Sequence, residues 1–308
     1  MTARFTVLAS GSTGNAYLLQ AGGSGVLIDF GVGPRRLARR LAACGLSWRN
    51  IHASVLTHTH SDHWHEGALC QLAELGVSLF CHPAHRDYLT IASPTFAEMV
   101  ASDKVHVYEP ATDFGVVPGI SCRPIAVCHD CGPTFGFRFE GQDGLYGPGW
   151  AVGFAADLGC WDDCLAQALT DVDLLAVEFN HDVEMQRRSG RPDSLISRVL
   201  SDEGHLSNEQ GAGLLRAAVA ASTHSCLRHV VPLHLSRQCN RPALARAAAE
   251  GAVRAAKATA RVHLHANGRG GPSLLIGVTA GQRQRVARRS TSRPDDPGFW
   301  TDDLADVG

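Results

Sequence analysis

Short apolar, β-branched runs alternate with turn residues along the start of the chain. Residues 5–9, 16–20 and 25–29 read as extended segments; the first two flank the turn Ser10-Gly-Ser-Thr-Gly-Asn15, and the third ends on the carboxylate of Asp29. That spacing predicts an antiparallel meander. Pro34 then opens a stretch of helical period in which Leu37, Ala38, Leu41 and Cys44 share a face and Gly45 stops the helix. Strand-like 53–57 and 77–81 bracket a helical 68–75, and Pro83 starts a further helical turn.

Extended segments return at 120–127, 134–139, 150–155 and 173–179, interrupted by a helix at 162–169. Residues 208–221 form a helix capped by Ser207 or Asn208, 228–233 a strand, and 242–258 an alanine-rich helix. Strands and helices mix without strict alternation, which favours two packed mixed sheets with helices outside, an α/β (α+β) chain. From Gln282 onward, five arginines give way to prolines and aspartates with little apolar period. The expected organisation is one domain over 1–280 and a disordered or loosely docked tail over 281–308.

Composition narrows the class. With 308 residues, 44% hydrophobic content and a formal charge of −2, the chain can bury a sizeable core and offers no global attraction for nucleic acid or an anionic membrane. No stretch approaches a membrane span, and the N-terminus lacks a secretion signal, so the expected compartment is the cytoplasm. Ten cysteines scattered over such a length read as small buried hydrophobes rather than a disulfide framework. Cys128-His-Asp-Cys131 has half the spacing of a zinc knuckle, but Cys160 and Cys164 do not supply the other half; Cys128 and Cys131 are expected to pack around His129.

The strongest chemical signal follows the strand at 53–57, which empties into His58-Thr-His60-Ser-Asp62-His63. Imidazole and carboxylate bind zinc-class ions, and a burst of them on one tight loop is hard to explain as packing. His58 and His60 can face one way while Asp62 and His63 turn toward a neighbouring position, so two ions could share a bridging hydroxide. His129, Asp157 and His234 each stand one or two residues beyond a predicted strand end, where a rigid rim would bring them to the same place.

These residues, with Ser10-Gly-Ser-x-Gly-Asn15, Asp29, Asp157-Leu-Gly159, Glu178-x-Asn180-His181-Asp182, Gly204-His-Leu-Ser-Asn208 and His234-Leu-Ser236, resemble the metallo-β-lactamase-fold hydrolases and specifically their YycJ/WalJ-like branch. The resemblance covers residues 4–265 or so. It implies an αββα sandwich with a dinuclear site on one edge. By that analogy His58, His60 and His129 hold one ion, Asp62, His63 and His234 the other, and Asp157 bridges, with Asp29 supporting the histidine loop. Zinc is the expected metal; manganese or iron also suit mixed His/Asp donors. One departure stands out: Trp64-His65-Glu66 separate His63 from Gly67, one residue more than the family pattern, which makes His65 a rival ligand.

Two metal ions supply a nucleophile and an electrophilic clamp without naming the substrate. The loop from Glu178 to Asp182 and the Gly204–Asn208 motif leading into a helix suit an anion, with His181 or His205 as proton donor and Asn180, Asp182, Ser207 and Asn208 in supporting positions. Asp62, Asp157, His181 and His205 are thus the candidate catalytic residues for a phosphodiesterase. The branch resemblance implies nuclease activity, DNA exonuclease included, on DNA or RNA. Arg35, Arg36, Arg39 and Arg40 form one basic surface and Arg187, Arg188 and Arg191 another, although aromatic stacking platforms are few. The alternatives are hydrolysis of a small ester, thioester or lactone, and an interaction protein with a vestigial metal site.

Overall fold

Successive residues of strand β1 (Thr2–Ala9) serve opposite faces: Phe5 and Val7 enter one apolar cluster and Leu8 another. The computed structural model describes residues 2–141, 149–224 and 226–264, and the backbone of a last strand over 273–277. Along the chain β2 (Ala16–Ala21), β3 (Ser24–Ile28), α1 (Pro34–Ala43), β4 (Ala53–Val55), α2 (Glu66–Glu74), β5 (Ser78–Cys81), α3 (Pro83–Ala92), α4 (Pro94–Ala101) and β6 (Val105–Val107) follow. The second half comprises β7 (Phe114–Val117), β8 (Ile120–Val127), β9 (Thr134–Gly141), β10 (Trp150–Ala155), α5 (Asp163–Ala168), β11 (Leu174–Glu178), α6 (Val183–Arg187), α7 (Asp193–Leu200), α8 (Asn208–Ala221), β12 (His229–Leu233), α9 (Pro242–Ala255), β13 (Arg261–Val262) and β14 (Ser273–Gly277).

The strands form two mixed sheets, β14-β1-β2-β3-β4-β5-β6 and β13-β12-β11-β10-β9-β8-β7. In the first, β1, β2 and β3 pair antiparallel and β3 to β6 parallel. The second repeats the scheme, antiparallel from β7 to β10 and parallel from β10 to β13. Between the sheets lie Phe5, Tyr17, Ile28 and Val55 from one side and Phe137, Phe139, Trp150 and Phe154 from the other. Helices α1 to α4 cover the outer face of the first sheet through Leu8, Leu18, Leu27 and Leu79, and α5, α8 and α9 cover the second. This is the expected αββα sandwich.

Differences are local. Where the sequence pattern offered only a turn at Pro83, two short helices stand end to end: Ser93 closes α3 and caps α4 by accepting from the Phe96 amide at 3.0 Å, with Pro94 at the first helical position. The expected tail over 281–308 lies outside the described residues. Among the described residues no helix is long and apolar enough to cross a membrane.

Candidate metal centre

Every candidate ligand sits on a loop leaving the C-terminal end of a strand: Asp29 after β3, His58 to His63 after β4, His129 after β8, Asp157 after β10 and His234 after β12. Three of these residues turn in the left-handed region, Asp29 at φ 57°, Asp157 at 58° and His234 at 53°, a backbone shape uncommon outside glycine and often found at functional sites. The loops lock together through their main chains. Asn15 donates its amide to Asp62 O at 2.7 Å and Phe30 to His63 O at 2.9 Å. Gly31 permits that approach, since a Cβ there would stand 1.7 Å from Asp62 O.

His58, His60 and His129 form one group. Their ring centroids lie 4.9, 5.2 and 5.1 Å apart, and His58 Nε2 is 3.1 Å from His60 Nδ1. Burial pushes all three below the ordinary imidazole range, so each is a neutral lone-pair donor at pH 7. His129 donates Nδ1–H to Gly204 O at 2.9 Å, which turns its Nε2 to the group. Asp130 adds a carboxylate: its Oδ1 is 3.6 Å from both His60 Nε2 and His129 Nε2 and has no hydrogen-bond partner, while Oδ2 is held by Arg198.

The second group gathers around Asp157. His63 Nε2 lies 2.8 Å from Asp157 Oδ2, and His234 Nδ1 lies 2.8 Å from Asp157 Oδ1 and 2.9 Å from Glu178 Oε1. Asp62 Oδ2 stands 3.8 Å from His63 Nε2 and 3.9 Å from His234 Nε2. Asp157 is within ligand reach of His58 and His63 on one side and of Glu178, His205 and His234 on the other, a position between two sites. Burial alone would raise Asp157 and lower the imidazoles; instead His234 and His63 hold Asp157 well below the carboxylate range, Asp29 and Asp157 raise His63, and Asp157 with Glu178 raises His234 to about 10. The pocket is an anionic nest that demands positive charge. One buried atom in it, His234 Nε2, has no hydrogen-bond partner, as expected where a cation completes the set. Imidazole with carboxylate fits zinc-class divalent ions.

The supporting shell explains much of the turn over 10–15. Asn15 Nδ2 is 2.9 Å from His63 Nε2 and 3.2 Å from Asp62 Oδ2, and Ser10 Oγ accepts from the His234 amide at 2.8 Å. Asp29 accepts from the Thr57 amide at 2.9 Å and lies 2.7 Å from His63 Nδ1. Asn180 Nδ2 donates to His234 O at 2.8 Å. His65, the rival ligand, does something else: as N-cap of α2 its Nδ1 accepts from the Gly67 amide at 3.0 Å, so the added residue extends the loop into a helix cap.

The expectations for the Glu178–Asp182 and Gly204–Asn208 loops separate here. His205 is at the centre, its Nδ1 2.8 Å from Glu178 Oε1 and its ring 5.1 and 5.0 Å from those of His129 and His234. His181 is buried, both ring nitrogens lack partners, and burial pushes it down to about 4, so it is a neutral core residue at pH 7. The N-terminus of α8 does not wait for an anion: Asn208 gives its amide to His181 O, and Gln210 gives its own to the capping oxygen of Ser207. Asn208 pairs instead with Asn240, and Asp182 caps α6 through the Met185 amide. Glu178 and Asp130 stand at the centre although the sequence marks neither as a ligand. A carboxylate ending the otherwise apolar strand Leu-Leu-Ala-Val-Glu was the available signal for the first.

All ten cysteines are free thiols. Cys131 Sγ meets Thr59 Oγ1 at 3.5 Å, whereas Cys128 turns to Cys160, with which it lines a cavity of about 330 Å³ beside Trp161. The pair framing His129 in sequence therefore does not enclose it in space.

A family model described as a beta-lactamase superfamily domain matches residues 25–235, a span that holds every candidate ligand from Asp29 to His234. The exodeoxyribonuclease WalJ of Streptococcus pneumoniae is 29% identical over 240 residues, covering 77% of this chain and 83% of the relative. The exodeoxyribonuclease YycJ of Bacillus anthracis is 26% identical over 248 residues, covering 80% and 87%. Among solved structures, the metallo-beta-lactamase fold protein YhfI from Bacillus subtilis matches with a TM-score of 0.61 at 15% identity, over 87% of this chain and 98% of that one, a likeness of fold alone.

Proposed function

The chain belongs to the beta-lactamase superfamily, and from that premise we propose that it is a metal-dependent phosphodiesterase that cleaves nucleic acid, with exonucleolytic action on DNA as the reading its relatives favour. The observation that carries the proposal is the position of His205, anchored on buried Glu178 between the rings of His129 and His234. In this reading His58, His60 and His129 hold one divalent ion, Asp62, His63 and His234 a second, and Asp157 lies between them. Zinc, manganese or iron bound there would supply Lewis acidity toward a phosphoryl oxygen and an acidified water.

The remaining steps belong to the chain. Gly204 O and Asp29 fix the tautomers of His129 and His63, so that both present Nε2. Glu178 accepts the Nδ1–H of His205 and orients the ring, so that the imidazolium hands its Nε2 proton to the leaving oxygen as the P–O bond breaks and is left neutral. A neutral, enclosed His181 takes no part in that transfer. The test is turnover of a model phosphodiester and of DNA, beside a thioester, by wild-type protein and by His205→Ala and His181→Met at full metal content. The proposal expects phosphodiester turnover that drops about 10²- to 10⁴-fold in His205→Ala alone. Thioester turnover without phosphodiester turnover, or an unaffected His205→Ala, overturns it.

A further inference from the structure

Two arginine groups that are far apart in sequence meet at the rim of the metal centre. Helix α1 carries Arg35, Arg36, Arg39 and Arg40 and no acidic residue; Arg35 and Arg39 are exposed, and Arg36 and Arg40 are half-buried. Arg40 donates to Leu8 O at the end of β1, and burial first, then the charges of Arg36, Arg39 and Arg237, push its guanidinium below the ordinary range. Arg237, three residues past His234 and exposed, donates to Thr13 Oγ1 at 3.3 Å. Next to it, Gln238 Oε1 accepts from Arg191 Nε at 2.9 Å. These two bonds go to neutral oxygens and cancel no charge. Other arginines behave differently: Arg198 is paired with Asp130, and Arg187 and Arg188 share Glu184.

The row is continuous with the centre, because the turn that carries Thr13 also carries Asn15, whose Nδ2 touches Asp62 and His63. Like charges crowd together there, a cost that a polyanion relieves. We propose that Arg39, Arg237 and Arg191 form a backbone track that holds the phosphates flanking the cleaved one on a nucleic-acid strand. The proposal rests on the phosphodiesterase reading of the centre. Phosphate contacts carry no base information, so DNA and RNA strands bind the track alike.

The test measures binding of cleavage-resistant phosphorothioate DNA and RNA single strands to the metal-loaded protein from about 50 to 200 mM salt. Arg237→Gln, Arg39→Gln and Arg191→Gln are each expected to lower the slope of log K against log salt by about 0.7 and to weaken binding roughly fivefold near 0.1 M salt. Arg237→Lys restores the slope, and Arg123→Gln, whose guanidinium is already paired with Asp113 at 2.6 Å, leaves it unchanged. Slopes equal to wild type in all three glutamine variants, at unchanged melting temperature and metal content, overturn the track. Wild-type turnover of bis(4-nitrophenyl) phosphate reads the centre separately: its absence overturns the catalytic reading and the track built on it, whereas turnover with unchanged slopes overturns the track alone.

Discussion

His205 Nδ1 stands 2.8 Å from Glu178 Oε1, and the same oxygen lies 2.9 Å from His234 Nδ1, so one buried carboxylate oxygen orients two imidazoles. Burial would raise Glu178, but the charge of His205 and the hydrogen bonds from His205 and His234 outweigh it and leave the group at about 2. It is an anion throughout the useful pH range. Glu178→Gln keeps the shape and removes the charge; the expected result is a fall of about 10² or more in kcat on a model phosphodiester. Steady-state kinetics with metal content measured in parallel checks it, and a wild-type rate would count against the Glu178–His205 pair.

Asp29 never reaches the centre itself, yet it holds His63 Nδ1 at 2.7 Å and the Thr57 amide at 2.9 Å. Asp29→Asn offers the ring a donor where it needs an acceptor. Metal affinity is expected to fall about 10- to 100-fold. Competition with a chromophoric chelator measures this directly.

The two histidines that compete for one role in the sequence separate cleanly in space. His63→Ala removes a ring lying 2.8 Å from Asp157, and half of the bound metal is expected to go with it. His65→Ala removes only the cap of α2, at a stability cost of about 1 kcal/mol with metal content unchanged. Elemental analysis and chemical denaturation of both variants decide the matter.

Metal loading should release protons unequally. The His58, His60 and His129 group is already neutral at pH 7, whereas His63 and His234 are raised, His234 to about 10, and must lose their protons to ligate. Affinity for the ion at the His63 and His234 position is therefore expected to climb as pH rises toward about 10, while the other site changes little above neutrality. Titration calorimetry in buffers of different ionisation enthalpy counts the protons released.

His181 makes the fold sensitive to acid. The unfolded chain takes up this proton near 6.5 and the fold resists it down to about 4, so the contribution is complete above 6.5 and lost as pH falls through that window. The difference amounts to about 3 kcal/mol. His181→Met is expected to lose this share of the pH dependence, so that its stability relative to wild type improves on acidification. Urea denaturation across the window tests it; parallel curves for the two proteins would remove the assignment.

Much of this was legible because strand ends carry both patterns at once. Apolar period placed β4, β8, β10 and β12, and the polar residue just past each end, His58, His129, Asp157 or His234, announced itself by interrupting that period. What escaped had no such contrast. Glu178 ends its own strand rather than following it, and Asp130 hides behind its neighbour His129. Helix α4 and strands β6 and β7 are too short to show a clean period: the two strands span three and four residues, with no fully buried side chain in β6 and one in β7. For Ser207 and Asn208 the sequence leaves helix capping and anion binding open, because both use the same amides; only the partners already in place, Gln210 and Asn240, tell them apart.

Asp29, Asp157 and His234 hold their donors from a backbone shape that glycine would adopt without penalty. Each such residue costs the fold about 1–3 kcal/mol. At these three positions the strain stands beside buried hydrogen bonds and ion pairs that offset it. Glycine at any of the three would relax its peptide unit but strip a buried partner from Thr57, His63 or Glu178, so selection for heat resistance alone gains little by removing these donors.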